Sequence, residues 1–184
     1  MTARAKLLSA WIGDKPPWYA KFQSRMDKFQ TLDWECLPHP DVPRGREMAW
    51  FNELGTRQLG TPCSKGQSIN AICDFRPTFG EMFKEEYDGY EWWGWCDLDL
   101  LFSDRTDEIL EELLTPEYDV VSFKRKYLSG CCVFLRNTDA ICNLFRSDPY
   151  QQILADDRYH VWDESGYRHL PGVSFWNAIQ RAGL

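Results

Sequence analysis

The sequence predicts an α/β fold, in which a mixed, mainly parallel sheet is flanked by helices within a single domain. Short apolar segments rich in β-branched and aromatic residues alternate along the chain with segments of helical periodicity. The length of 184 residues favours one domain with a single core. No internal repeat, low-complexity tract or linker divides the chain, so we expect one domain.

Five segments have the pattern of strands. The first is closed by the turn-forming run Gly13–Pro17, and the second by Pro38 and Pro40. The third is the most apolar and aromatic part of the chain, which is typical of a strand buried on both faces. The predicted strands are residues 7–12, 32–37, 89–96, 118–123 and 131–135.

The segments between and after these strands have helical signals. Asp104 is a predicted N-cap with acidic residues in the following turn, and Asn137 or Thr138 is a predicted N-cap further on. Residues 55–66 read as irregular, and the signals fade after Ser147. The predicted helices are residues 18–29, 47–54, 68–75 and 78–87 with a break at Pro77, 104–114, 139–145 and 173–182.

Composition excludes several classes of protein. No run approaches the ~20 apolar residues of a membrane span, and the first apolar run is too short for a signal peptide. The seven cysteines form no CxxC pair, which argues against a zinc site and favours free thiols in a reducing compartment. A formal charge of −7 argues against a broadly basic nucleic-acid surface. We therefore expect a cytoplasmic protein (host cytoplasm if viral) without a transmembrane segment.

Two aspartates follow the most apolar strand. Asp97 and Asp99 are separated only by Leu98, and on extended chain their side chains point to the same side. Because unpaired charge is costly inside a sheet, the strand is expected to end here and deliver both carboxylates to the carboxyl edge. Two hard oxygen donors suit Mg²⁺ or Mn²⁺, especially with a phosphate in the coordination shell. The alternative is a surface turn with two solvated aspartates.

Other groups are candidates for the same site. The dinucleotide, P-loop, zinc-protease and serine-hydrolase motifs are absent from the sequence. Asp74 and Arg76 stand in an apolar segment, where they either form a local salt bridge or reach the site to hold a nucleotide. Lys124, in a basic run with Arg125 and Lys126, follows a predicted strand and suits a phosphate, although such runs are most often solvated. Ser129 and Gly130 either permit close backbone approach to a ligand or form a simple turn.

The late part of the chain supplies the candidate catalytic groups. Asp163 and Glu164 follow Trp162 in an irregular segment, and they read either as a catalytic base or nucleophile or as an exposed acidic turn. His169 is the preferred extra metal ligand because it lies near this segment, although a single histidine is more often structural. The tryptophans read as core residues more readily than as stacking platforms, and Trp11, at the end of the first strand, is the best candidate to stack on a ligand instead.

These pieces together resemble a bacterial and viral family of small GT-A-type glycosyltransferases. The resemblance rests on the runs at residues 93–102 (WGWCDLDLLF) and 73–80 (CDFRPTFG), with smaller matching pieces at 11–13, 16–18, 129–137 and 163–164. It spans most of the chain from Leu7 to Glu164. The combined pattern is far more specific than any one of its parts.

The resemblance implies a GT-A fold, a nucleotide-sugar donor and a divalent metal. By that similarity Asp97 and Asp99 would hold Mn²⁺ or Mg²⁺ against the donor diphosphate, and Asp74 and Arg76 would lie near nucleotide and sugar. Two further sets of roles are implied: the nucleotide pocket would be lined by Trp11, Ile12 and Gly13, and the catalytic or acceptor-binding acid would be Asp163 or Glu164. The physical chemistry agrees, because a metal stabilises charge on the departing diphosphate.

The sequence leaves alternatives for the acceptor and for turnover itself. The acceptor is expected to be a glycan or lipid-linked glycan, or a modified base in DNA such as a hydroxymethylated pyrimidine. The alternative is a non-catalytic module of the same fold that binds a nucleotide-sugar. Neither the oligomeric state nor the stereochemical outcome follows from the sequence.

Overall fold

A computed structural model of the chain describes residues 4–166 and 170–184. These residues form one α/β domain around a mixed five-stranded sheet with helices on both faces, as the sequence predicts. The strands are β1 (Ala5–Ala10), β2 (Leu32–Leu37), β3 (Trp92–Cys96), β4 (Val120–Ser122) and β5 (Cys132–Arg136). Their order across the sheet is β2-β1-β3-β5-β4.

The pairing of the strands brings the predicted site residues to one edge. Strand β1 pairs in parallel with β2 and β3, whereas β5 is antiparallel to both β3 and β4. The last residue of β3, Cys96, therefore lies opposite the first residue of β5, Cys132. Because β1 and β3 end where β5 begins, the residues after β1, those after β3 and those before β5 meet at the carboxyl edge of the sheet.

Helices connect and cover the strands. The α-helices are α1 (Tyr19–Met26), α2 (Glu47–Leu59), α3 (Phe79–Met82), α4 (Thr106–Leu113), α5 (Asp139–Cys142), α6 (Tyr150–Ala155) and α7 (Phe175–Arg181). Two 3₁₀ helices span Ile69–Thr78 and Leu144–Ser147. The predicted cap of α5 is Thr138, whose side-chain oxygen accepts a hydrogen bond from the backbone N–H of Ile141.

Strand β3 is buried on both faces and divides the core in two. Trp93 and Trp95 pack into the larger cluster with α2, α3 and α7, and Trp92 packs on the opposite face with α1 and α4. Each large apolar side chain buried in this way contributes about 2 kcal/mol or more to stability. Gly94 lies between Trp93 and Trp95 in β3, and a Cβ there would be 1.9 Å from the Val133 carbonyl oxygen of β5. Only glycine therefore fits where β3 pairs with β5.

The helices differ from the predicted boundaries for identifiable reasons. Helix α2 continues to Leu59 and ends at Gly60, which has φ of 66°. Gly55 was expected to end this helix, but it lies inside α2, where a Cβ would be 2.9 Å from the Phe75 ring. Gly55 thus permits close packing between α2 and the 3₁₀ helix. The expectation of an irregular segment over residues 55–66 was therefore wrong for residues 55–59, which are helical.

Two further differences concern residues 68–87 and 150–155. Pro77 lies inside the Ile69–Thr78 3₁₀ helix, and the predicted second piece is shortened to the single turn of α3. Helix α6, which has no strong periodicity, is absent from the predicted elements. Among the described residues, no helix combines the length and apolar character required to span a bilayer.

Candidate active site

A pocket of about 280 Å³ lies at the carboxyl edge of the sheet, beside the end of β3. Polar and apolar side chains line it in similar proportion, and it is partly open to solvent. Several predicted site residues lie in its wall: Trp11, Arg76, Asp97, Asp99 and Glu164. Four widely separated parts of the sequence thus contribute to one cavity, which is the principal candidate site of the molecule.

Asp97 and Asp99 occupy the position that the sequence predicts. Asp97 is the first residue after β3, and its backbone N–H donates to the Cys131 carbonyl at 2.8 Å, which extends the pairing beyond the strand. The Asp97 side chain is partly buried, with 34% of its surface exposed, whereas Asp99 is an exposed residue. Burial raises the pKa of the Asp97 carboxyl, and the Arg76 guanidinium opposes that change.

Arg76 connects the two acidic parts of the site. Its Nη2 donates to Asp97 Oδ1, and its Nη1 donates to Asp163 Oδ2 at 3.0 Å and to the Gly130 carbonyl at 2.6 Å. The guanidinium is nearly fully buried, so these partners offset the cost of removing its charge from water. The rigid guanidinium of Arg76 therefore fixes three parts of the chain relative to one another: the end of β3, the segment just before β5 and the late acidic segment.

Asp163 and Glu164 take different environments although they are adjacent. Asp163 is completely buried behind Arg76, and burial raises the pKa of its carboxyl to about 7, against the opposing effect of that guanidinium. Glu164 lines the pocket and is partly buried, which raises the pKa of its carboxyl. Glu164 also lies against Gly130, where a Cβ would be 2.0 Å from Glu164 Oε1. Of these two acids, only Glu164 lines the cavity.

The donor set at Asp97 and Asp99 fits a hard divalent cation. Arg76 occupies Oδ1 of Asp97, which leaves Oδ2 and both oxygens of the exposed Asp99 for other partners. Two carboxylates suit Mg²⁺ or Mn²⁺ when phosphate oxygens and water complete the octahedron. Within residues 4–166 and 170–184, no group of three or more His, Cys, Asp or Glu side chains has the arrangement of a metal site. His169, the predicted extra ligand, lies outside the described residues.

Asp74 faces away from the pocket, in contrast to its predicted place beside a ligand. It is completely buried, and its Oδ2 forms an ion pair with Lys65 Nζ at 2.6 Å. Its two oxygens also accept hydrogen bonds from the backbone N–H groups of His160 and Trp162 at 2.9 and 3.1 Å. Asp74 thus binds the protein's own backbone.

The remaining predicted residues lie around the pocket or beside it. Ile12 packs against the larger core cluster, and Gly13, with φ of 84°, turns the chain after β1. Ser129 is buried, and its backbone N–H donates to Ser122 Oγ at 2.9 Å. Lys124 is exposed, and its charge slightly opposes the rise in pKa that burial causes at the Glu164 carboxyl. None of these four residues lines the cavity.

Several lining residues were absent from the predicted site. Trp18 lies at the start of α1, and its indole N–H donates to the Leu98 carbonyl at 2.9 Å, which holds the segment between the two aspartates. Tyr159 also lines the pocket, and its hydroxyl lies 3.4 Å from Asp163 Oδ1. Asn70 and Cys73 complete the polar part of the lining. The turn-forming run Gly13–Pro17 directly before Trp18 could have indicated that Trp18 lies near the edge of the sheet, whereas no sequence pattern marks Tyr159.

A second concavity lies on the other side of the segment that follows Asp99. This apolar groove has a volume of about 300 Å³, and it is formed by residues 100–103, by α4 and by the end of β4 with the start of β5. Two side chains at its margin are conspicuously exposed, Leu101 at 100% and Phe123 at 55%. The groove adjoins the candidate site, because Leu98 and Asp99 line the pocket and Leu100 and Leu101 line the groove.

Fold and site together define an α/β protein with a carboxylate-bearing pocket at the edge of a mixed sheet. The chain belongs to a family of unknown function, DUF6625, whose model matches residues 8–180. No curated protein and no solved structure matches the chain. The functional assignment therefore depends on the geometry of the site and on its chemistry.

Proposed function

We propose that the protein is a metal-dependent glycosyltransferase that uses a nucleotide-sugar donor. The observation that carries the proposal is that Asp97 and Asp99, directly after a central buried strand, share one pocket with Trp11, Arg76 and Glu164. Ligands of open α/β sheets bind at this edge. The strand order, with one reversed strand beside β3, is compatible with the GT-A fold that the sequence resemblance implies.

The residues of the pocket suit the parts of such a donor. Trp11 offers an aromatic face at the end of β1 for the base, while its indole N–H is held by the Asp14 carbonyl at 2.9 Å. Asp97 and Asp99 would hold Mn²⁺ or Mg²⁺ against the diphosphate. When bound, the cation supplies stabilisation of the negative charge on the leaving diphosphate.

The two late acids would have separate roles. Glu164 lines the cavity and is the group that can touch an acceptor hydroxyl, and its raised pKa brings it closer to the range useful for a general base. Asp163 is buried behind Arg76 and holds that guanidinium in place. We therefore assign the base to Glu164 and orientation of Arg76 to Asp163.

The surface next to the pocket favours one class of acceptor. The apolar groove, with Leu101 and Phe123 exposed at its margin, suits the hydrocarbon part of a lipid-linked acceptor. A DNA acceptor needs a basic binding surface, and the formal charge of −7 disfavours it. We therefore rank a lipid-linked glycan above a modified base.

The test is donor hydrolysis and transfer with a panel of uridine- and guanosine-diphosphate sugars, with and without Mn²⁺. The proposal expects metal-dependent release of the nucleoside diphosphate, lost in the Glu164→Gln variant while nucleotide binding persists. Tight nucleotide binding without any turnover by the native chain would favour a non-catalytic nucleotide-sugar-binding module.

A further inference from the structure

The buried ion pair between Lys65 and Asp74 has no part in the pocket, yet it is one of the most deeply buried polar contacts in the described chain. Both side chains have 0% exposure and their charged atoms are 2.6 Å apart. Buried pairs of this kind contribute little net stability compared with apolar residues of similar size. Their position therefore calls for an explanation other than stability.

Among the described residues, every other hydrogen-bond partner of the two charged side chains belongs to one late segment of the chain, residues 153–162. Lys65 Nζ donates to the carbonyls of Ile153 at 3.1 Å and Arg158 at 2.5 Å. Asp74 accepts from the backbone N–H groups of His160 and Trp162. The pair thus binds this segment at four backbone positions, and the last of them directly precedes Asp163.

The neighbours of Lys65 strengthen the same attachment. The Ser64 backbone N–H donates to the Leu154 carbonyl at 2.8 Å, and the Gly66 N–H donates to the Asp157 carbonyl at 3.1 Å. Asn52 in α2 pairs with the backbone of Lys65 in both directions, at 2.9 and 3.0 Å. Lys65 is therefore itself fixed to a core helix.

The segment is held in a strained conformation between the two hydrogen bonds to Asp74. Val161 has φ of 56°, and it is the only non-glycine residue in the described chain with a positive φ. For a β-branched side chain this region is a genuine outlier, and it persists only where its surroundings enforce it. The N–H groups of the residues on either side of Val161, His160 and Trp162, are the ones bound by Asp74.

We propose that the Lys65–Asp74 ion pair is a positioning device that enforces the turn at Val161 and thereby presents Asp163 to Arg76 and Glu164 to the pocket. Released from Asp74, Val161 would relax to a negative φ, and that rotation would redirect the chain immediately before both acids. The geometric part of this proposal is independent of the reaction. The catalytic part rests on the proposed function.

The experiment uses a neutral replacement of the pair, Lys65→Met with Asp74→Asn, which keeps similar side-chain volumes and leaves no unpaired buried charge. The matched control is Lys84→Met with Asp139→Asn, the same substitutions at an exposed ion pair with a 3.3 Å separation. Amide hydrogen exchange is compared in peptides covering 156–166 and in peptides covering β1, β3 and β5. Binding of uridine and guanosine diphosphate with Mn²⁺ and release of diphosphate from their sugars are measured in parallel.

The proposal expects amide exchange in 156–166 to accelerate about tenfold or more in the Lys65→Met, Asp74→Asn variant, with exchange in the strands unchanged and with no acceleration in the control variant. Nucleotide affinity should stay within about threefold, whereas turnover should fall about tenfold or more, because only the acids are misplaced. Unchanged exchange in 156–166 overturns the proposal. Faster exchange with undiminished turnover overturns its catalytic part. If the native chain shows no turnover, the proposed function fails, and exchange alone decides the geometric part.

If the double variant does not fold, Val161→Gly provides the second measurement. Glycine adopts positive φ without the steric cost to valine. The turn then no longer needs enforcement, so Val161→Gly added to Lys65→Met with Asp74→Asn should restore folding and the native exchange of β1, β3 and β5. A triple variant that still does not fold overturns the proposal.

Discussion

Replacing Asp163 by asparagine should change how the stability of the protein depends on pH. Asp163 is fully buried, and its pKa is raised from 3.8 to about 7, chiefly by burial. Between those two values the folded protein binds more protons at this carboxyl than the unfolded chain does. Stability from this group is therefore lost as the pH rises from about 4 to about 7, where the folded-state carboxyl ionises.

The size of the effect follows from the same two pKa values. Integration of the proton-binding difference between pH 5 and pH 8 gives a loss of about 2–3 kcal/mol for the native chain. The Asp163→Asn variant cannot lose this contribution. Between pH 5 and pH 8, the free energy of unfolding of the native chain should therefore fall by that amount relative to the variant. This corresponds to roughly 4–12 °C in Tm for a domain of this size.

The assay is urea unfolding at several pH values between 5 and 8 for the native chain and Asp163→Asn. Asp139→Asn is the control, because Asp139 is an exposed aspartate whose side chain is 90% accessible. The difference between the native chain and the control should stay nearly constant with pH. Parallel stability curves for the native chain and Asp163→Asn would refute the reasoning, since they would show that Arg76 keeps Asp163 ionised throughout.

Two other predictions concern packing and the acceptor. Gly55→Ala should destabilise the protein by about 1–3 kcal/mol in urea unfolding, since its Cβ would be 2.9 Å from the Phe75 ring. Gly60 has φ of 66° and a Cβ there would have no atom within 4 Å, so Gly60→Ala should reduce the free energy of unfolding by only about 1 kcal/mol. A larger loss of stability in Gly60→Ala than in Gly55→Ala would contradict the packing account. Leu101→Ser with Phe123→Ser should leave Tm unchanged and reduce transfer to a lipid-linked acceptor about tenfold without affecting donor hydrolysis; undiminished transfer would contradict the acceptor assignment.

The parts of the fold that could be predicted from the sequence are those set by local pattern. The run from Gly89 to Asp104 predicts a doubly buried strand followed by two aspartates, and the structure has that strand with Asp97 directly after it. Alternation of apolar segments was sufficient for the α/β class because each pattern spans only one element. Residue 55 shows the limit, since a glycine required for packing looks the same in sequence as one that ends a helix.

The candidate site was less accessible to sequence reasoning because its contacts are long-range. Asp74 and Arg76 carry opposite charges and stand two residues apart, which suggests a common role. Their side chains nevertheless contact different partners. Asp74 pairs with Lys65, whereas Arg76 pairs with Asp97 and Asp163. Which carboxylate each cation takes depends on the packing of the 3₁₀ helix against β3 and the late segment. No local pattern encodes that choice.

The central claim is that Asp97 and Asp99 hold a divalent cation against the diphosphate of a nucleotide-sugar, and thermal shift tests it most directly. For the native chain, a bound uridine- or guanosine-diphosphate sugar with Mn²⁺ at about 100 times its Kd should raise Tm by roughly 5–10 °C. The shift should largely disappear without the metal and in the Asp97→Asn, Asp99→Asn double variant. An equal shift in that variant, or the absence of any metal-dependent shift across the panel, would contradict the claim.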